Sequence, residues 1–242
     1  MKRFLCLVLA AVFCFVAPVW AEQTADEILK SVDDQATQFK DLKTKLKIIV
    51  RGADGVEKTA NGLTLQKGPK RLYRFFDTGM AFMSLDPDTS YVYLPEDQKV
   101  RRIAAHTHNQ SFMGTDYNAD DMAITRYDDV YAPKLLETTP KEFALELTPK
   151  AGKASSYSKI VIHVDREINA IVRLEYYNPK GEKEKTEVRS DYQKITGQWY
   201  CMLLEIASVK TGHKTVVKMI EPTFNTGLSD DLFTTRQLKR ME

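Results

Sequence analysis

Cysteine, histidine and the short motifs of catalysis are what this sequence has least of. Three cysteines and four histidines are spread over 242 residues. Cys6 and Cys14 both sit in an apolar amino-terminal segment, so a chain that loses this segment keeps Cys201 alone and has no internal disulfide even in an oxidising compartment. Stability then rests on a hydrophobic core. Cys201 is flanked by apolar residues, which favours an inert thiol over a reactive thiolate. There is no G-x-S-x-G, no H-E-x-x-H and no phosphate loop; we read the chain as not an enzyme, with no cofactor. Net charge is missing too. Without Lys2 and Arg3 the basic count drops from 35 to 33, against 33 acidic residues, and no basic patch points to nucleic acid. No linker, repeat or low-complexity run divides the chain, which fits one all-β domain over residues 22–242.

The amino terminus has its own logic. Lys2 and Arg3 are positive, Phe4 to Val16 is an apolar run, and Val19-Trp20-Ala21 ends it. This is the pattern of a secretory signal peptide cleaved between Ala21 and Glu22. The run is shorter than the ~20 residues of a spanning helix. Phe13 is a large residue before Cys14, where lipoprotein processing wants a small one. An exported, soluble protein is expected.

Thr24 to Lys40 reads as a helix, with Thr24 as N-cap, Glu27 completing a capping box, and Ile28, Val32, Gln35, Ala36 and Phe39 on one face. The period then changes from 3.6 to 2. Leu42, Thr44, Leu46, Ile48 and Val50 share one face, and Lys43, Lys45, Lys47 and Arg51 the other. Strands are expected at 57–66, 70–76, 81–85, 91–94, 99–103, 141–148, 158–164, 170–178, 183–194, 198–210 and 213–220, with turn signals between them. Such a series implies an antiparallel meander closing toward a barrel, and residues 229–240 suit a short helical turn. The strand from Trp199 to Ile206 is apolar on both alternating faces. That fits either packed side chains or an inner apolar cavity. Phe75, Phe76, Met80, Phe82 and Met83 add aromatic and flexible groups suited to variable apolar shapes, which favours the cavity.

The stretch from Tyr91 to Met122 is the least generic. Tyr91 to Leu94 and Val100 to Ile103 form a hairpin around Pro95, after which periodicity is lost. SFMGTDY lies at the centre of that irregular run, the make-up of a binding loop or lid. His106-x-His108, with Asp116, Asp120 and Asp121 following, is the nearest approach to a metal site. A third ligand at definite spacing is missing, and the carboxylates suit helix capping equally, so no metal is assigned. His163 and His213 sit singly in strand patterns and are read as surface or satisfied polar positions.

The pattern Tyr91-x-Tyr93-Leu94-Pro95, then Lys99-Val100-Arg101-Arg102-Ile103, then Ser111-Phe112-Met113-Gly114-Thr115-Asp116, resembles the outer-membrane lipoprotein-sorting proteins. These are the LolA-like and LolB-like periplasmic lipid carriers, here closest to the branch found beside large export pumps. The resemblance implies a mainly β fold with a few helices, a half-open antiparallel β-barrel with a helical lid. It further implies a carrier of lipid or lipoprotein acyl chains between envelope membranes, with transient membrane contact and an export pump as a partner. Phe75, Met80, Phe82, Met83, Tyr91, Tyr93, Phe112 and Met113 are the candidates for holding the ligand. Arg101, Arg102, Gly114 and Asp116 are the candidates for gating. Adjacent strand residues leave on opposite faces, so at most one arginine points inward to hold the loop through Asp116; the alternative is a solvated pair on an edge strand. The rival function is a fully packed barrel acting as a non-carrier periplasmic partner of the pump.

Overall fold

The computed structural model describes residues 23–124 and 126–240; the expected signal peptide and its cleavage point lie outside them. The first helix, α1 (Ala25–Ala36), begins as its sequence dictates. Thr24 Oγ1 accepts from the Glu27 N–H at 3.2 Å, and the Glu27 carboxylate accepts from the Thr24 N–H at 2.8 Å. Ile28, Leu29 and Val32 are buried, each contributing about 1.5–3 kcal/mol by leaving water.

Thirteen strands follow among the described residues. They are β1 (Asp41–Arg51), β2 (Glu57–Lys67), β3 (Lys70–Phe75), β4 (Ala81–Asp86), β5 (Thr89–Leu94), β6 (Lys99–Arg102), β7 (Tyr131–Thr138), β8 (Glu142–Pro149), β9 (Lys159–Asp165), β10 (Ala170–Tyr177), β11 (Lys183–Ile195), β12 (Gln198–Ser208) and β13 (Lys214–Phe224). Twelve of these correspond to expected strands. β7 was not expected, because Pro133 and an exposed outer face hide its alternation; it is an edge strand, where a missing N–H is tolerated.

All thirteen belong to one antiparallel sheet, in the order β6-β5-β4-β3-β2-β1-β13-β12-β11-β10-β9-β8-β7. Each strand pairs with its sequence neighbour except at one junction. β1 closes on β13, with Ile48 opposite Val217, whereas β6 and β7, consecutive in sequence, lie at the two open edges. The fold is a half-open antiparallel barrel, as expected. The segment 103–130 has to connect those edges, and it does so by crossing the concave side. It carries a tight hairpin bridged at Ser111 and Asn118 and a short helix, α2 (Ala119–Ala123), with Asn118 as its N-cap.

The concave face holds two apolar clusters. One packs α1 against the inner residues of β8, β9 and β10, and the other packs Phe112, Met113 and Met122 against Leu46, Phe75, Phe82 and Val217. A third cluster occupies the opposite face. There Leu65, Leu72, Ala81 and Met83 lie beneath Phe233 and Leu238, carried by the last segment and its helix α3 (Thr235–Leu238). Asp41 ties that segment down, its carboxylate accepting from the N–H groups of Thr226, Gly227 and Leu228 at 2.7–3.2 Å.

Candidate ligand cavity

A cavity of about 250 Å³ lies between α1, the crossing segment and the concave face. Its walls differ. β1, β3 and β13 supply Leu46, Ile48, Phe75, Val217 and Met219, and the crossing segment adds Phe112 and Met122. β10 and β11 supply Tyr176, Glu187, Arg189 and Tyr192. Trp199, Tyr200, Cys201 and Leu204 of β12 also reach it, so the strand that is apolar on both faces does line a cavity. On β11, Glu187 and Arg189 keep the inward parity and Tyr192 takes over after Asp191, whose φ of 51° interrupts the alternation. Burial pushes the Cys201 thiol up, which keeps it protonated and inert at neutral pH.

Of the residues expected to hold ligand, Phe75 and Phe112 line the cavity. Phe82, Met80 and Met113 pack directly behind them; the Phe82 and Phe112 rings meet edge-on at 5.6 Å. Met83, Tyr91 and Tyr93 do not line it. Phe82 faces inward, so strand parity turns Met83 and its cross-strand partner Tyr91 to the other face, where all three join the cluster beneath the carboxy-terminal segment.

The gating residues are placed differently from expectation. Asp116 is bonded to no arginine. Its carboxylate accepts from Thr215 Oγ1 at 2.7 Å and lies 2.9 Å from His213 Nδ1, both residues near or on β13. Arg101 pairs with Asp97 in its own hairpin. Arg102 and Arg101, with Lys99, Arg236 and Lys239, surround an open cleft between β6 and α3, on the far side of the sheet edge. Both arginines are exposed. Gly114 has φ of 70° and Met113 φ of 53°. They are the two central residues of a tight turn closed by the Thr115 N–H on the Phe112 carbonyl at 3.0 Å, a primed turn that glycine accepts without penalty.

Several residues that sequence reasoning passed over carry the architecture. Lys185 donates to the Asp116 carbonyl at 3.0 Å and to Asp121 at 2.5 Å. Burial pushes the Asp121 carboxyl up and Lys185 opposes this. Asp121 also accepts from Tyr157 Oη at 2.7 Å. His108, buried, meets Asp120 at 2.8 Å, and Asp120 accepts from the Ser156 N–H. The acidic residues that follow the histidines therefore serve as tethers, and no cluster of three or more metal-ligating groups forms among the described residues. An arginine does clamp the covering elements, but it is Arg126. It bonds Asp34 of α1 at 2.8 Å, Thr37 at 3.1 Å and Asp128 through two nitrogens.

This arrangement defines a class: an open antiparallel barrel whose gap is crossed by a cover and whose concave side keeps a largely apolar, partly open cavity. A domain from Vibrio parahaemolyticus described as an outer membrane lipoprotein-sorting protein superposes with a TM-score of 0.80 at 24% identity, covering 89% of this chain and 98% of that one. A DUF1329 family protein from Desulfovibrio piger gives 0.80 at 24% identity, with 90% and 100% covered. A LolA superfamily protein from Nitrosomonas europaea gives 0.74 at 21% identity, with 88% and 98% covered. No curated protein matches the chain. A family model whose description reads "Uncharacterized protein" matches residues 75–240. The chain belongs to that family, and its fold is the LolA-like fold of the outer membrane lipoprotein-sorting proteins.

Proposed function

We propose that the protein is a periplasmic carrier, a single domain after loss of its signal peptide, that holds acyl chains of a lipid or lipoprotein and moves them between envelope membranes. The observation that carries this reading is the cavity beneath the crossing segment, with an apolar stretch of wall made by Leu46, Ile48, Phe75, Val217 and Met219. A free acyl chain costs about 0.8 kcal/mol per CH₂ exposed to water, so its carrier needs a dry site that also opens. The cover between two unpaired sheet edges supplies both properties: it closes the cavity without belonging to the sheet. The likeness to a lipoprotein-sorting domain supports the ligand class. The cationic cleft of Lys99, Arg101, Arg102, Arg236 and Lys239 suits transient contact with anionic headgroups, where each cation near the surface is worth about 1 kcal/mol.

Native mass spectrometry of protein isolated from its own envelope tests the proposal. Co-purified or captured lipid at one equivalent is the expected result. A protein that is empty and takes up no lipid favours the rival, a non-carrier partner of an export pump.

A further inference from the structure

The inner face of β1, β2 and β3 changes character along the strands. Register places Leu46 opposite Gly62, Gly62 opposite Phe75, and Ile48 opposite Val217, so that end of the wall is apolar. Two residues further along, Thr44 stands opposite Thr64 and Thr64 opposite Tyr73, and two further again Gln66 stands opposite Arg71. Residues two apart on a strand share a face and lie about 7 Å from each other, so a polar belt borders the apolar one. Thr44, Thr64, Gln66, Arg71 and Tyr73 all line the cavity.

Arg71 is the unbalanced charge in this belt. Its Nε donates to Gln66 Oε1 at 3.3 Å, and its Nη1 reaches the Met122 carbonyl of the crossing segment at 3.5 Å. Both contacts are longer than a well-formed N–H···O bond, and they engage only two of the five N–H groups of a guanidinium. Arg71 forms no ion pair among the described residues. The acids that line the cavity are already satisfied. Glu187 pairs with Arg189 and Asp121 with Lys185, while Asp33, pushed up to about 8 by burial, keeps its proton at neutral pH. Counted with Lys185, the wall carries one positive charge in excess. Diagonal to Arg71 across the β2–β3 pair is a second unused donor. Thr64 is 6% exposed and its hydroxyl is buried with no partner.

We infer that Arg71 and Thr64 hold the anionic oxygen head of an acyl ligand, a carboxylate or a phosphate, while its chain lies along Leu46, Phe75 and Val217. The inference rests on the carrier reading and names the head that its ligand bears. The guanidinium fork matches two oxygens of one carboxylate or phosphate, and such charge-assisted bonds are about twice as strong as neutral ones. Arg71 is half-buried, so the pair forms partly out of water, where salt screens it less than at an open surface. The order of the two belts along the strands fixes the direction in which the ligand lies.

The test compares binding of decanoate, decyl phosphate and methyl decanoate at neutral pH to the protein, to Arg71→Met and to Thr64→Val, with melting curves to confirm that each variant is folded. At least one anion is expected to bind about 10-fold or more tightly than the methyl ester; the tighter of the two tells a free fatty acid from a phospholipid. Arg71→Met is expected to abolish that preference and Thr64→Val to reduce it by about 2- to 10-fold, the worth of one hydrogen bond, with the methyl ester bound as before. A variant that merely loosened the cover would weaken all three ligands alike. Methyl decanoate bound as tightly as both anions, or an anion preference that survives unchanged in either variant, overturns the inference and leaves the carrier intact. Binding of none of the three overturns both.

Discussion

Asp33 is a carboxyl held where water does not reach it. Its residue is 1% exposed, it accepts from the Asp128 N–H at 2.7 Å, and burial, with the Asp128 carboxylate beside it, pushes its pKa up to about 8. The unfolded chain releases that proton near pH 4. The native state therefore holds a proton that the unfolded state has lost, so the stability due to Asp33 is complete below about pH 4 and disappears as pH rises through about 8. Thermal melts should show the wild type losing stability from about pH 4 to about pH 8 and levelling off above that. Asp33→Asn, which imitates the protonated form, should flatten that part of the curve; an identical slope in the variant would show that Asp33 is not the titrating group. Residues of this kind were poorly legible in the sequence. Lys185, Glu187 and Arg189 alternate with Val188, and alternation reveals which residues share a face without saying which face is inside. Here the strand is inverted: Lys185 is 5% and Glu187 2% exposed, while Val188 is 41% exposed. Hydrophobicity pointed the wrong way because the inner partners, Asp121 and the tyrosines, come from distant parts of the chain.

Elements fared better where their signals were local. The capping box of α1 and the alternation of β1 are complete within a few residues, and each is legible within a few residues of its observed bounds. α2 and β7 are not, since α2 is only five residues long and β7 follows a proline-marked edge. The crossing segment was recognised as irregular and lid-like, but its tethers were not. Asp116, Asp120 and Asp121 find Thr215, Ser156 and Lys185, contacts that no spacing rule encodes. Its apolar tip is a hairpin closing Phe112 onto Phe75 and Phe82. Replacing Phe112 and Met113 together by Ser should weaken uptake of a fluorescent fatty acid far more than it lowers the melting temperature, because the polar tethers of the segment remain. Unfolding of the double variant with unchanged uptake per folded molecule would make the tip permanent core instead.

At the scale of the molecule, the sheet runs from β6 through β1 and β13 to β7 and stays open where β6 and β7 fail to meet. Chain order alone explains why the cover lies where it does: the connection between the two edges must bridge the gap that those edges leave. The cavity under that bridge makes the carrier reading physical, and Trp199, on its wall, is placed to report on it. The chain has two tryptophans, so in a Trp20→Phe background Trp199 is the sole indole. The most direct test of the account is a titration of this protein with a fatty acid brominated along its chain, kept below its aggregation concentration, while Trp199 fluorescence is followed. The account predicts saturable quenching at one equivalent, reversed by the unbrominated fatty acid. Fluorescence that stays unquenched while the protein is folded would contradict it.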